Sequence, residues 1–273
     1  MPSRFFQSNG IRLRYIDEGA GDSIVLLHGF AHDATRWVRN GAVDLFASRY
    51  RVLALDCRGH GDSDKPHDPA QYSSLELDVV AMLDEVRVAR AHVVGYSMGG
   101  NLLGRLLVRH RERLLSATLI GATGLASHAR DDERARMADA FERGDASTLV
   151  MAVRPTNEPP PDAAQLQESS ARILAGNDPL ALAALLRAPI VPITPQVLAA
   201  AAAAVPMLGI AGTADPALAA LASLAATVPG LQVVTIPGAG HASTFNRPEL
   251  LTAIEGFIAG PEHALPPAQI ETE

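Results

Sequence analysis

Cys57 is the only cysteine in the 273 residues. No disulfide within the chain and no cysteine-based zinc site is possible. No lysine- or arginine-rich block occurs, and the net charge is −7. Phosphate binding needs clustered positive charge, so nucleic acid is excluded as the expected partner. No apolar run approaches the length that spans a bilayer, which excludes a membrane-spanning reading. The start, Met1 to Gln7, lacks the apolar centre of a secretion signal. These features together predict a cytoplasmic setting. No G-x-G-x-x-G follows a strand and no G-x-x-x-x-G-K-[ST] exists, so a nucleotide cofactor is not expected. No histidine pairs with a carboxylate at metal-ligand spacing, which predicts no metal.

Apolar residues make up 48% of the chain and charged residues 19%, as a packed core requires. Strand-like and helix-like runs alternate. Ile11 to Ile16 alternates like an edge strand, and Ile24 to Leu27 is a short, wholly apolar run of the kind buried on both faces. Further strands are expected at Arg51 to Leu55, Ala91 to Val94, Ser116 to Ile120, Met207 to Ala211 and Gln232 to Ile236. Helices are expected from Thr35 to Ser48, from Ser73 or Ser74 to Arg87, after Gly99, from Pro216 to Val228, and from Pro248 to Ile258. Repeated β-α units imply a mostly parallel sheet with helices on both faces.

The rhythm breaks between Thr123 and Thr194. Amphipathic helical pieces replace strands there: Asp131 to Arg143, Ala146 to Val153, Asp162 to Ala175 and Pro179 to Arg187. The expected organisation is a core of residues 1–122 and 195–260, a helical lid of residues 123–194, and a disordered tail of residues 261–273.

Gly95-Tyr96-Ser97-Met98-Gly99 is a G-x-S-x-G sequence between an apolar strand and a helix. A serine on so tight a turn is exposed at the top of a sheet, and the helix behind it aims backbone N–H groups at the same spot. A serine hydroxyl needs a base, and the base needs a third group to orient it. His241 sits in a small-residue loop after the Val233-Val234 strand and is the candidate base. Asp215 directly follows the Met207 to Ala211 strand and is the candidate acid. Asp215 also suits the start of the following helix, and the two roles are compatible. The two oxyanion donors are expected to be the backbone N–H groups of Met98 and Phe30, with Gly29 supplying the freedom for the Phe30 turn. His28 and His60 are read as structural, Trp37 as packing, and Asp56 to Ser63 as an architectural loop.

Five segments, in order, carry a family resemblance: Leu27 to Phe30, Asp56 to Ser63, Gly95 to Gly100, Gly212 to Asp215 and Gly238 to His241. With Ser97, Asp215 and His241 in that chain order, the sequence resembles the α/β-hydrolase superfamily, and within it the small, lidded, bacterial esterase-type members. The resemblance runs from about Phe5 to Ile258, the lid excluded. It departs from many relatives in that Pro216 follows Asp215 at once, and the lid matches no assignable pattern. It implies an α/β-hydrolase fold with a central sheet of about eight strands. It implies hydrolysis of small-molecule carboxylic esters with small apolar acyl groups, without a cofactor, through an acyl-enzyme. Carbon–carbon bond hydrolase, lactonase, thioesterase, perhydrolase and amidase chemistry, and a non-catalytic binding role, are the alternatives on the same fold. A serine at position 97 argues against the aspartate-based dehalogenases and epoxide hydrolases. Apolar walls of the acyl pocket are expected from Phe30, Tyr96, Met98 and Phe245, with His32 near the mouth and Met137, Phe141, Leu149 and Met151 as lid contributions.

Overall fold

A computed structural model describes residues 3–260; the tail expected at residues 261–273 lies outside the described residues. The eight strands are β1 (Arg4–Ser8), β2 (Ile11–Gly19), β3 (Ser23–Leu27), β4 (Arg51–Leu55), β5 (Ala91–Tyr96), β6 (Leu114–Ile120), β7 (Met207–Gly212) and β8 (Leu231–Ile236). They form one sheet in the order β1-β2-β4-β3-β5-β6-β7-β8. β1 and β2 pair antiparallel, β2 runs antiparallel to β4, and every pair from β4 to β8 is parallel.

β1 was not anticipated. It is joined to β2 by Asn9 and Gly10, both with positive φ (49° and 78°), as a two-residue hairpin requires. Only Phe6 and Ser8 of β1 are buried, so its sequence carries little apolar signal. It takes the edge position expected for Ile11 to Ile16.

The helices are α1 (Thr35–Arg39), α2 (Ala42–Ala47), α3 (Glu76–Glu85), α4 (Met98–His110), α5 (Asp131–Glu142), α6 (Ser147–Ala152), α7 (Ala163–Ala175), α8 (Pro179–Arg187), α9 (Pro195–Ala202), α10 (Leu218–Ala225), α11 (His241–Thr244) and α12 (Pro248–Ile258). The single helix expected from Thr35 to Ser48 is broken in two. Gly41 adopts φ 82°, and the Asn40 side chain accepts from the Ala42 N–H and donates to the Phe245 carbonyl. α3 begins later than expected, and neither Ser73 nor Ser74 caps it; the Ser73 hydroxyl donates instead to the Ala70 carbonyl.

Alternate strand residues feed two cores. Val25, Leu27, Leu53, Val93 and Leu119 pack with α3, α4, α9 and α10 on one face. Ile24, Leu26, Val52, Val94 and Ile120 pack with α1, α2 and α12 on the other. This burial on both faces is why β3, β4 and β7 read as near-continuous apolar runs.

α5 to α8 lie between β6 and β7. They share a separate cluster of Met137, Ala138, Phe141, Ala146, Leu182 and Ala183, which includes Ala31 of the core and touches Phe30. The two ends of this insertion are pinned together, since Ala126 and Ile193 exchange both backbone hydrogen bonds (3.2 and 2.9 Å). Among the described residues, no helix is long and apolar enough to cross a membrane.

The chain leaves β3 toward β4 on one side and returns to β5 on the other. In an open α/β sheet, ligands bind at the carboxyl ends of the strands flanking such a reversal. His28 to Phe30 follow β3, and Ser97 follows β5.

Candidate active site

Ser97 has φ 53° and ψ −111°, outside the ordinary range for a residue with a side chain. Its N–H donates to the Ile120 carbonyl (2.8 Å), which holds the turn against β6. The neighbours must be small. A methyl group on Gly95 would meet the Gly99 carbonyl oxygen at 2.3 Å, and one on Gly99 would meet the Leu27 carbonyl oxygen at 2.5 Å.

Ser97 Oγ lies 2.9 Å from His241 Nε2. His241 Nδ1 lies 3.0 and 3.1 Å from the two carboxylate oxygens of Asp215. Asp215 and His241 are buried, 4% and 8% exposed, so this line of contacts is shielded from bulk water. Backbone bonds lace the two loops: Thr213 N–H donates to Ile236 (3.0 Å) and Ala214 N–H to Ala239 (2.9 Å). The Asp215 carboxylate also accepts from the Ala217 N–H (2.9 Å), so one side chain orients the histidine and opens the helical turn behind it. The Tyr96 ring stacks on the His241 imidazole (5.3 Å, 28°), and its hydroxyl donates to the His241 carbonyl (3.1 Å).

The turn after β3 is closed by the His32 N–H donating to the Gly29 carbonyl (3.2 Å). The positive φ falls on Ala31 (58°), not on Gly29. Gly29 is required for a different reason: a methyl group there would lie 2.8 Å from the Tyr96 ring. Among the described residues, neither the Phe30 nor the Met98 N–H donates to a protein acceptor. Both donors remain free for a ligand.

Behind this turn sit two fully buried histidines. The Cys57 N–H donates to His28 Nε2 (3.0 Å), so the ring proton is on Nδ1 and is donated to the Gly29 carbonyl (2.8 Å). His60 Nδ1 donates to the Arg58 carbonyl (3.1 Å). Burial pulls His28 down to about 4 and His60 to about 3. Asp56 accepts from the Ala34 and Asp62 N–H groups (2.7 and 2.9 Å) and meets Arg14, tying the 56–63 loop to the start of α1.

A cavity of about 650 Å³ opens onto Ser97 and His241. Phe30, His32 and Tyr96 line it from the core, and Leu149, Val153 and Ile173 from the insertion. His32 is held neutral, down to about 4, by burial and then by the nearby Arg36 charge.

Five expected wall residues are elsewhere. Met137 and Phe141 face inward and form the insertion's own core, where Phe141 meets Phe30 edge-on (5.6 Å). Phe245 is fully buried beneath Tyr96 and against Trp37 (4.8 and 4.6 Å), one layer behind the cavity. The Met98 side chain packs into the core on the α4 face, leaving its backbone near Ser97. Met151 is exposed and is not part of the lining. Sequence reasoning did not single out Arg36, Ile173 or Gly121. Gly121 closes β6 with φ 58° beside the histidine, and its only sequence signal was a glycine at a strand end. Among the described residues, no cluster of three or more histidine, cysteine or acidic side chains is placed to hold a metal.

Similarity to known proteins agrees with this geometry. Residues 24–254 match the alpha/beta hydrolase family model. Over 122 residues, 44% of this chain, the sequence is 36% identical to the dihydrolipoyllysine-residue acetyltransferase component of the acetoin cleaving system of Cupriavidus necator. Over 115 residues, 41% of this chain, it is 39% identical to a 2-hydroxy-6-oxononadienedioate/2-hydroxy-6-oxononatrienedioate hydrolase of Burkholderia vietnamiensis. The matches span only 32% and 40% of those relatives' own lengths. The fold is similar to that of the enol-lactonase of Burkholderia xenovorans LB400, with TM-score 0.74 and 26% identity over 94% of this chain and 100% of that one. The match to the family model takes in β3 through most of α12, and with it Ser97, Asp215 and His241: the chain belongs to the alpha/beta hydrolase family.

Proposed function

We propose that the protein is a serine hydrolase that cleaves carboxylic esters by two-step acyl transfer. The observation that carries this reading is the unbroken line of contacts from Asp215 through His241 to Ser97. His241 takes the Ser97 proton as Oγ attacks the carbonyl carbon. Asp215 stabilises the imidazolium, and the Phe30 and Met98 N–H groups hold the oxyanion. His241 then gives the proton to the departing alcohol oxygen. In the second half a water, deprotonated by His241, attacks the acyl-enzyme, and the carboxylic acid leaves as Ser97 recovers its proton. The substrate is a small molecule whose apolar acyl chain lies along Phe30, Tyr96, Leu149 and Ile173. On this reading residues 123–194 are a lid on a core of residues 1–122 and 195–260. Thr156 N–H, which donates to the Ala214 carbonyl (2.9 Å), ties the lid to the loop that carries the acid.

A lactone is the second reading, favoured by the similarity to an enol-lactonase. A cyclic ester presents the same carbonyl to Ser97, and only the leaving oxygen stays attached.

A fluorophosphonate probe and 4-nitrophenyl butyrate test the proposal. The protein is expected to be labelled and to turn the ester over, with both lost in Ser97→Ala. Absence of labelling in well-folded wild-type protein would overturn acyl transfer at Ser97. A panel of lactones against open-chain esters separates the two substrate readings.

A further inference from the structure

The cavity at Ser97 carries a cation that the fold does not use. Its lining holds three arginines, Arg36, Arg39 and Arg172, against a single carboxylate, Asp33. Two of the arginines are unremarkable: Arg39 and Arg172 are exposed, the first 3.8 Å from Asp33 and the second bonded to Ser169 (3.3 Å). Arg36 differs. It is half-buried, and among the described residues its guanidinium has neither an ion-pair nor a hydrogen-bond partner. Asp33 makes no ion pair or hydrogen bond with it; its Oδ1 instead takes the Thr35 N–H (2.8 Å), the Thr35 hydroxyl and Arg39. What holds Arg36 is aromatic. Its Cζ lies 4.6 Å from the Phe245 ring centre and 5.7 Å from that of Tyr96, the residue before Ser97.

Stacking satisfies the face of a guanidinium and leaves its in-plane N–H donors free. A partly desolvated charge with open donors is costly unless something pairs with it. Burial accordingly holds Arg36 below the usual arginine range, though the group stays charged. His32, its neighbour in the cavity, is neutral and supplies no negative partner. A planar, two-pronged donor in a cavity lining, without a protein partner, matches one ligand chemistry best, the carboxylate.

We propose that Arg36 receives a carboxylate carried by the substrate, so that the preferred ester or lactone is an anion. This rests on the reading of Ser97 as the point of attack, and it sharpens the substrate class. The apolar walls of the insertion take the hydrocarbon chain, and Arg36 takes its charged end. The carboxylate belongs either to the acyl half or to the alcohol half, and matched substrates separate the two.

The first pair is mono-4-nitrophenyl adipate against 4-nitrophenyl hexanoate, with the charge on the acyl side. The second is 4-acetoxybenzoate against 4-acetoxytoluene, with the charge on the alcohol side. Within one pair, wild-type protein is expected to favour the anion in kcat/KM by roughly tenfold to hundredfold, the worth of a charge-assisted bidentate contact. Arg36→Gln is expected to abolish that ratio and Arg36→Lys to keep part of it. Arg39→Gln is expected to leave the ratio within about twofold, because an exposed charge is screened. No anion preference in either pair overturns the proposal, and so does an equal loss in Arg39→Gln, which would assign the effect to the general field. If the fluorophosphonate leaves Ser97 unlabelled and no ester turns over, the acyl-transfer reading fails by itself. Glutarate then decides the role of Arg36. A glutarate-dependent rise in thermal midpoint in wild-type protein that is absent in Arg36→Gln supports the proposal, and no difference overturns it.

Discussion

Gly121 is packed against His241 so closely that a methyl group on it would lie 2.8 Å from both Nδ1 and Cε1 of the imidazole and 3.0 Å from an Asp215 carboxylate oxygen. The glycine cannot retreat, because its N–H is bonded to the Ile210 carbonyl (2.8 Å) and its φ is 58°. Gly121→Ala is expected to push the ring off Ser97 Oγ and to lower kcat/KM on 4-nitrophenyl butyrate about a hundredfold. The strained φ costs about 1–2 kcal/mol of stability, measurable by urea unfolding. Wild-type turnover in this variant would show that His241 tolerates displacement and is not the base.

Asp215 serves two partners through one carboxylate, and two substitutions separate them. Asparagine keeps an oxygen for the Ala217 N–H but turns an NH₂ group toward His241 Nδ1, which favours the wrong tautomer. Asp215→Asn is expected to lower kcat by about three to four orders of magnitude while the thermal midpoint holds. Asp215→Ala is expected to lose kcat similarly and about 1 kcal/mol of stability in addition, as the turn loses its acceptor. Intact turnover in Asp215→Asn would move the acid elsewhere.

Ser97 and Asp215 were legible in sequence because each follows a strand buried on both faces, and His241 because it follows an apolar edge strand in a loop of small residues. Ser97 follows β5, Asp215 lies just past β7, and His241 comes at the start of the short α11 after β8. Arg51 to Leu55 was read with its observed limits for the same reason. Edge strand β1 was illegible because Arg4, Phe5 and Gln7 are exposed and only pairing with β2 makes it a strand. The break at Gly41 was hidden because Trp37, Val43 and Phe46 enter the same core whether or not the helix is continuous. The cavity walls were the hardest part. Helical periodicity says that Met137 and Phe141 are buried, but which neighbour they are buried against is decided by tertiary packing, as it is for Phe245 in the loop before α12. Arg36 was invisible for the complementary reason: a lone arginine in a helix reads as surface until its partners are found missing.

The corrected walls make a prediction that separates the insertion's own core from the cavity wall. Phe141→Ala removes a fully buried ring from the insertion's core and is expected to cost about 3–5 kcal/mol, read as a lower urea midpoint. Ile173→Ala enlarges the cavity itself. It is expected to cost less stability and to shift the preference among 4-nitrophenyl esters toward longer acyl chains. A chain-length shift in Phe141→Ala without loss of stability would return Phe141 to the wall.

His28 and His60 give the protein a pH-dependent stability with a definite sign. Their folded-state values are lowered to about 4 and about 3, chiefly by burial, from 6.5 in the unfolded chain. Between those limits the unfolded state binds more protons than the folded state, so stability rises with pH across the window and falls as pH drops below 6.5. Protonating His28 would also put a proton on Nε2, where the Cys57 N–H needs an acceptor. Lowering the pH from 7.5 to 5 is expected to cost about 2 kcal/mol per histidine, at a pH where most carboxylates are still ionised. Urea unfolding at the two pH values measures the loss, and His60→Asn is expected to remove about 2 kcal/mol of it, because an amide there has no proton to gain, while His28 and His32, both lowered to about 4, keep their shares. An undiminished loss in His60→Asn would place the pH sensitivity outside His60.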